Sequence, residues 1–380
     1  MDQNNLYSLK SGNFKAIEIP VMKESRGKDW IAYGKSNLYP QELIELYDSS
    51  AMHHTCVEAI RDGIYGEGIL TYGDEYVNQK GETLNDIFEK IALDYTLFQG
   101  YVLNVIWNKE GTGIAEMYHL PFSDVRSGKM DDEGTVNEYF YSIDWTNTKK
   151  NPPVPYKAFD TTDNKKDNSS QIFYVFGYNP GNYVYPVPAY IGGLNDISLD
   201  CEVSKFHTNN ISNSLQPSMF IKFRGGVPNP EERNDIYREI ERTFTGPDNA
   251  GKFFLSFSDA ENAMEVQEIS SGGDTYYITL EERISSRILT AHRITSPLLL
   301  GVKDSSGFSS NADEIIVAYG HFEGIVIEPK RKKIIDSLSF VMKLMGYNVK
   351  LQVIPSTIVK QQTQTILDGN NSAPSIGTTI

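Results

Sequence analysis

Two helical stretches, residues 188–213 and 278–294, flank a short segment with a different period. Within it, SMFIKF (218–223), GKFFLSF (251–257) and NAMEVQEI (262–269) carry the apolar and alternating pattern of strands. The last two are close enough to form a hairpin. Between the first two, Asn229-Pro230-Glu231-Glu232 sets a cap residue, a proline at the first helical position and acidic side chains in the first turn. That helix runs to Phe244, with Ile236, Ile240 and Phe244 on one face. The result is a β-α-β-β unit of about 55 residues, too small to bury much core alone. The chain is therefore a larger body with a small module inserted through a pair of helices.

The larger body reads as α+β. Residues 1–38 are polar and irregular. Leu43, Leu46 and Tyr47 form one helical stripe, and Met52, Cys56, Ala59, Ile60 and Gly63 form a second after Ser49-Ser50. Gly63, Gly66 and Gly68 suit a helix end and a turn. Thr83 with Asp86 three residues on resembles a capping box, and it opens an amphipathic helix with apolar residues at 84, 87, 88, 91, 95 and 98. YVLNVIW (101–107), GIAEMYHL (113–120), NEYFYSIDW (137–145) and QIFYVFGY (171–178) follow as strands of an antiparallel sheet, with residues 146–170 as a long polar loop. A last helix from 311 to about Met345 is interrupted or restarted at Pro329, and NVKLQVI (348–354) is a closing strand.

Composition narrows the function classes. The chain has 380 residues, 39% of them hydrophobic, with 23 Tyr and 18 Phe, a mixture that suits sheet surfaces and protein–protein contact. A net charge of −15 argues against a surface that grips nucleic acid throughout, because phosphate binding rests on Lys and Arg. Two cysteines, Cys56 and Cys201, are too few for a disulfide framework and fit a reducing compartment. The opening MDQNNLYSLK lacks the apolar run of a secretory leader, and no segment approaches the roughly 18 apolar residues of a membrane span.

Chemistry-bearing patterns are few. His53-His54-x-Cys56 matches no zinc spacing, and these residues read as surface histidines beside a buried cysteine. The three glycines make neither a dinucleotide nor a phosphate loop. Asp196 and Asp200 share a helical face, and Asp131-Asp132-Glu133 are adjacent, without a nucleophile, base or metal set. The serine-rich segment 305–310 lacks a nucleophile elbow. Lys330-Arg331-Lys332-Lys333 is the strong basic cluster, read either as a solvated helix face or as a contact with phosphate or an acidic neighbouring subunit. These residues imply no catalytic site, no cofactor and no metal, and the chain is expected not to be an enzyme.

The order helix, small insert, helix, loop and long broken helix resembles the portal, or head–tail connector, proteins of tailed bacteriophages. FHTNNISNSLQPSMFIKF (206–223) looks like the end of the family's first stem helix entering its clip. TFTGPDNAGKFFLSF (243–257) is similar to the element before a clip strand, and ERISSRILTAHRITSPLLLGV (282–302) looks like the second stem helix and its exit. NLYPQELIELYDSSAMHHTCVEAIRDGIYGEGI (37–69) resembles the wing helices. The likeness covers residues 37–345; the C-terminus departs from it, because little patterned sequence follows residue 356 where many members carry a helical crown.

The resemblance implies an α+β portal-like fold. Its parts would be an N-terminal arm (1–36), a wing (37–187), a first stem helix (188–213), a clip (214–271), a second stem helix (272–296), a tunnel loop (297–310), a wing helix and closing strand (311–356) and a polar tail (357–380). It also implies a homo-oligomeric ring, usually of twelve copies, at one capsid vertex, through which double-stranded DNA passes without sequence preference. The implied partners are the major capsid protein, the large terminase subunit and a tail or head-completion adaptor, with no membrane. The implied location is the virion, and the host cytoplasm during assembly. Lys303, Ser305, Ser306, Gly307, Phe308 and Ser309 would form the tunnel loop facing DNA, with the glycines and serines leaving its backbone few constraints. Asp196, Asp200 and Glu202 would line the channel, or pair with Arg283 and Arg287 of the adjoining helix. Lys330, Arg331, Lys332 and Lys333 would touch DNA or a neighbouring subunit, and Phe244, Asn249, Lys252 and Phe254 would dock clip partners. Two other readings are a phage head–tail adaptor that never encloses DNA, and a metal-dependent nucleic-acid enzyme.

Overall fold

Ser50 ends one helix and begins the next. Its backbone N–H donates to Leu46 O at the close of α1 (Tyr39–Ser49), and its hydroxyl accepts the N–H of His53 at the start of α2 (Ala51–Tyr65). The computed structural model describes residues 20, 22–24, 27–162, 169–212, 219–224, 231, 234–235, 238, 253–258, 265–268, 274–301, 312–348 and 350–355. α2 stops at Gly66, whose φ of 59° and ψ of −127° suit glycine; a Cβ there would lie 2.4 Å from Ile354 O. Thr83 and Asp86 form the expected capping box of α3 (Leu84–Phe98). That helix buries Leu84, Ile87, Phe88, Ile91, Ala92 and Tyr95, the face the sequence pattern indicated.

The chain divides into two units, Met1–Asn195 with Ile288–Ile380, and Asp196–Arg287. In the first, β1 (Lys23–Glu24) pairs with β2 (Ile31–Ala32). Six strands, β3 (Gly100–Trp107), β4 (Ile114–Leu120), β5 (Val125–Ser127), β6 (Glu138–Tyr141), β7 (Val154–Ala158) and β8 (Ser170–Phe176), form one sheet in the order β4-β3-β8-β7-β6-β5. β3 is the most deeply buried, as its nearly unbroken apolar run requires. Neighbours are antiparallel except β7 and β8, which run parallel. β7 falls inside the stretch expected to be a loop. Pro153 and Pro155 mask it, since proline lacks the N–H of a sheet ladder.

Part of the stretch expected to be polar and irregular packs into the core. Ile31, Ala32 and Tyr33 are buried. The rings of Tyr33 and Tyr185 stack at 4.0 Å; Tyr33 Oη donates to Pro186 O at 2.5 Å and Tyr185 Oη to Ile31 O at 2.6 Å. Arg126 lies beside them, fully buried. Nε donates to Asn37 Oδ1 (3.0 Å), Nη1 to Ser123 O (2.7 Å) and Val125 O (2.9 Å), and Nη2 to Asn37 O (2.7 Å) and Gln41 Oε1 (3.1 Å). All five guanidinium N–H groups thus meet neutral acceptors, while Trp145 packs with its ring centre 4.8 Å away.

The second unit holds most of α4 (Leu194–Ser212) and of α5 (Asp274–Ala291). A three-stranded sheet separates them along the chain, built from β9 (Met219–Arg224), β10 (Phe253–Ser258) and β11 (Glu265–Glu268). The expected hairpin does not form. β10 pairs parallel and β11 antiparallel to β9, which occupies the centre. Central placement gives both edges of the strand a ladder partner, which a β10–β11 hairpin with β9 at its edge would not. The helix expected from Asn229 to Phe244 falls mostly outside the described residues; 231, 234, 235 and 238 are helical.

Back in the first unit, α6 (Ala312–Phe322) runs through a π-turn (Glu323–Ile327) into α7 (Glu328–Leu344). Pro329 sits in the first turn of α7, where its missing N–H costs little. The expected closing strand shortens to the bridge Ile69–Val353 and flanking bonds such as Ile354 N to Gly68 O at 2.8 Å.

Arg126→Met leaves several buried carbonyls without donors, and Arg126→Lys supplies three donors where five are used. Both substitutions are expected to cost about 3 kcal/mol or more in urea unfolding. A wild-type midpoint for either would refute the assignment.

Candidate functional site

The sequence candidates fall in several places. Asp196, Asp200 and Glu202 lie on α4. Asp196 Oδ1 is 3.2 Å from Arg287 Nη1 on α5, with the carboxylate 18% exposed and the guanidinium 62%. Further along the same helices, His207 Nε2 is 3.1 Å from Glu281 Oε1. Glu202 pairs along its own helix with Lys205 at 3.1 Å. α4 and α5 are thus tied by charged contacts at two levels. Each exposed pair is worth at most about 1 kcal/mol, so these contacts set register more than stability.

Lys303, Ser305, Ser306, Gly307, Phe308 and Ser309 lie outside the described residues, as do Phe244, Asn249 and Lys252. Phe254 is in β10, its backbone opposite Phe220 of β9.

The four basic residues at the start of α7 point in different directions. Arg331 is buried, 7% exposed. It donates through Nε to Ile64 O (3.1 Å), through Nη2 to Gly63 O, and through Nη1 to Glu323 (2.7 Å) and Glu328 (2.9 Å). Gly63 and Ile64 are among the last residues of α2, so a cation sits at the negative end of that helix and occupies its free carbonyls. Lys330 turns inward on the other side, donating to Gln99 Oε1 at 3.3 Å and lying 5.6 Å from the Tyr95 ring centre. Lys332 pairs with Asp336 at 2.7 Å and Lys333 reaches Phe176 O at 3.2 Å, both from exposed positions. A uniformly solvated basic face, one of the two sequence readings, is therefore absent.

The histidine pattern also folds differently from its surface reading. His53 is fully buried, whereas His54 is exposed. His53 Nδ1 lies 2.9 Å from His292 Nε2, a residue 239 positions away, and both rings pack on Tyr190. Burial, followed by the charge of His54, lowers the His53 imidazole to about 3. Burial, then His53 and Lys330, holds His292 well below its usual range. The pair is neutral at physiological pH, and one hydrogen bridges the two rings. Sequence reasoning missed His292 and Tyr190 because nothing local links them to His53. The available cue was the apolar series Ile284, Ile288, Leu289 ahead of His292, which carries a buried face up to it.

Chemically, this arrangement offers little for catalysis. Buried neutral imidazoles exchange no protons near neutral pH. Burial pushes the Cys56 thiol up to about 12 and the Cys201 thiol, with Asp200 beside it, to about 11, so neither is a ready nucleophile. Among the described residues, no group of three His, Cys, Asp or Glu stands ready to hold a metal, and no helix is long and apolar enough to cross a membrane.

Comparison with solved structures gives the fold. The chain is similar to one in the neck of a native gene transfer agent particle computed with twelvefold symmetry, at 15% identity and a TM-score of 0.60, covering 89% of this chain and 91% of the other. A chain of the native gene transfer agent virion matches at 16% identity and a TM-score of 0.60, over 88% and 90% of the two chains. An HK97-family phage portal protein from Corynebacterium diphtheriae matches at 9% identity and a TM-score of 0.49, over 87% and 98%. No protein-family profile and no curated protein sequence matches the chain. The chain thus has the mixed α+β fold of the gene transfer agent neck chain over nearly its whole length.

Two predictions follow from these polar contacts. Above pH 6.5 the folded and unfolded states both hold His53 and His292 neutral; below it only the unfolded state takes up protons readily. Stability should therefore fall as pH drops from about 6.5 toward 3, with His53 alone contributing roughly 2 kcal/mol of loss at pH 5. Urea titrations should show this slope flattened in a His53→Gln/His292→Gln variant, and an unchanged slope would refute the pairing. Separately, Arg331→Met should lower stability by about 2–4 kcal/mol while Lys332→Ala leaves the unfolding midpoint in place. Equal effects would refute the distinction between the two cations.

Proposed function

We propose that this chain is a portal-type subunit of a phage-like particle: a structural, non-catalytic protein that closes into a ring at a capsid vertex and conducts double-stranded DNA. The observation that carries this reading is the end-to-end fold likeness to a chain from the neck of a twelvefold particle. Twelve is accordingly the proposed subunit number. In this reading α4 and α5 form the stem, and β9–β11 belong to the clip that docks a terminase during packaging and a tail adaptor afterwards. Residues 297–310 are the proposed tunnel loop facing the channel, and the major capsid protein surrounds the wing.

The charge supports the same reading. Each copy brings a net charge of −15, so a ring concentrates negative potential around its axis. An acidic lining denies the duplex the counterion-releasing contacts that would hold it, which favours sliding in either direction. Asp196, Asp200 and Glu202 are the proposed contributors from α4, with Asp196 paired to Arg287 and Glu202 to Lys205.

Negative-stain images of the purified chain should show rings with a central opening wide enough for a double helix. Deleting residues 304–310 should leave those rings intact while reducing DNA packaging or retention. A chain that stays monomeric under all assembly conditions, or rings lost with the deletion, would overturn the proposal.

A further inference from the structure

A cavity of about 240 Å³ opens beside the histidine pair, lined by Tyr95, Gln99, Tyr190, His292, Arg293 and Lys330 together with a few apolar side chains. None of its lining residues is acidic, although the chain carries 50 acidic against 35 basic residues. Lys330 has three donors, of which Gln99 takes one at 3.3 Å. Burial, and then the positive charge of Arg293, lowers its ammonium to about 8. Two cations thus meet at this opening, Lys330 half-buried and Arg293 exposed at its rim, with no acidic residue among those that line it. The imidazole of His292, held neutral by burial, adds none.

Arg293 is also unexpected for its backbone. Arg293 N donates to Thr290 O at 3.0 Å and Ile294 N to Leu289 O at 2.9 Å, the paired bonds of a Schellman close to α5. Arg293 occupies the left-handed position of that motif, with φ of 61°, where glycine is the usual and less strained choice. Ile294 behind it is buried, so the motif itself is well seated. Local structure alone would favour glycine here, and the guanidinium at the cavity wall is what arginine adds.

We infer that this cavity receives a carboxylate side chain from a second copy of the chain, gripped by Lys330 and Arg293. The inference rests on the ring reading above. A space of 240 Å³ holds on the order of eight waters, enough for one acidic side chain and its stem. It is too small for a helix or for a nucleic-acid strand. The mixed polar and apolar walls suit a carboxylate carried on an alkyl stem. Neighbouring copies supply the complementary charge in surplus, and a guanidinium with an ammonium is a strong receptor for it.

The test uses rings assembled from an equal mixture of isotopically light and heavy full-length chains, treated with a zero-length carbodiimide. The expected product is a light–heavy peptide joining the Lys330 amine to an Asp or Glu of another copy. Lys330 should also react with acetic anhydride at least tenfold more slowly in the ring than in the monomer. Arg293→Gly keeps the helix close and should leave the monomer's unfolding midpoint unchanged or raised. It should nevertheless reduce the crosslink and the slowing at least tenfold, and Lys330→Met should abolish the crosslink. Rings that form with no light–heavy Lys330 product and no slowing would overturn this inference while sparing the ring reading. Slowing of the monomer reaction by inorganic phosphate or acetate to the level of the ring would overturn it in favour of a small-anion site. Failure to assemble at all would remove the ring reading and this inference together.

Discussion

The buried guanidinium of Arg331 is the constraint on which the packing of the helical layer turns. It joins the C-terminal carbonyls of α2 to the π-turn ahead of α7 and to the first turn of α7 itself, beside the close apolar approach of Ile327 to Gly63. A charge placed in this interior is tolerated only where acceptors surround it, so its location fixes the rotation of α7 about its axis. Successive helical residues point about 100° apart, so Lys330 then faces inward past α3 while Lys332 faces out. A run of four like charges in the sequence becomes two interior cations and two surface ones.

This explains which parts of the fold were legible. Thr83 with Asp86, Ser50, and Pro329 each act through their own backbone, and each does in the structure what its type and spacing imply. The long apolar run of β3 likewise announces a strand buried on both faces. The failures share one cause, which is partners far away in sequence. β7 looks like loop until β6 and β8 flank it, because Pro155 hides the pattern. β10 and β11 look like a hairpin until β9 takes the place between them. His53 looks exposed until His292 and Tyr190 close over it, and Arg331 looks solvated until α2 ends against it.

The same distribution of polar groups bears on function. Several buried ionisable residues of the first unit are spent on one another or on nearby polar groups: Arg126 on carbonyls and amides, Arg331 on a helix end and two carboxylates, His53 on His292. The shifts of His53, His292 and Cys56 run toward neutral forms. Interior polarity used in this manner fixes how the elements of the first unit pack, a property the proposed ring subunit would need.

The proposed ring would set an electrostatic difficulty for such a body. A chain of net charge −15 would lie against copies of itself, and like charges at a shared interface cost several kcal/mol unless local complementarity intervenes. Lowering the overall charge would relieve the repulsion but would also weaken the acidic field proposed to keep a duplex from lodging in the channel. Spatial separation answers both demands. Carboxylates lie along α4, while Lys330 is half-buried in a cavity at the end of α5 with Arg293 exposed at its rim. In the proposed ring, a cation on the channel wall would hold DNA, and a half-buried one would do so less. The left-handed arginine that closes α5 is a local strain, shared in kind by Asn37, Tyr72 and Gln99, and under the inferred contact its benefit would lie in a neighbouring copy.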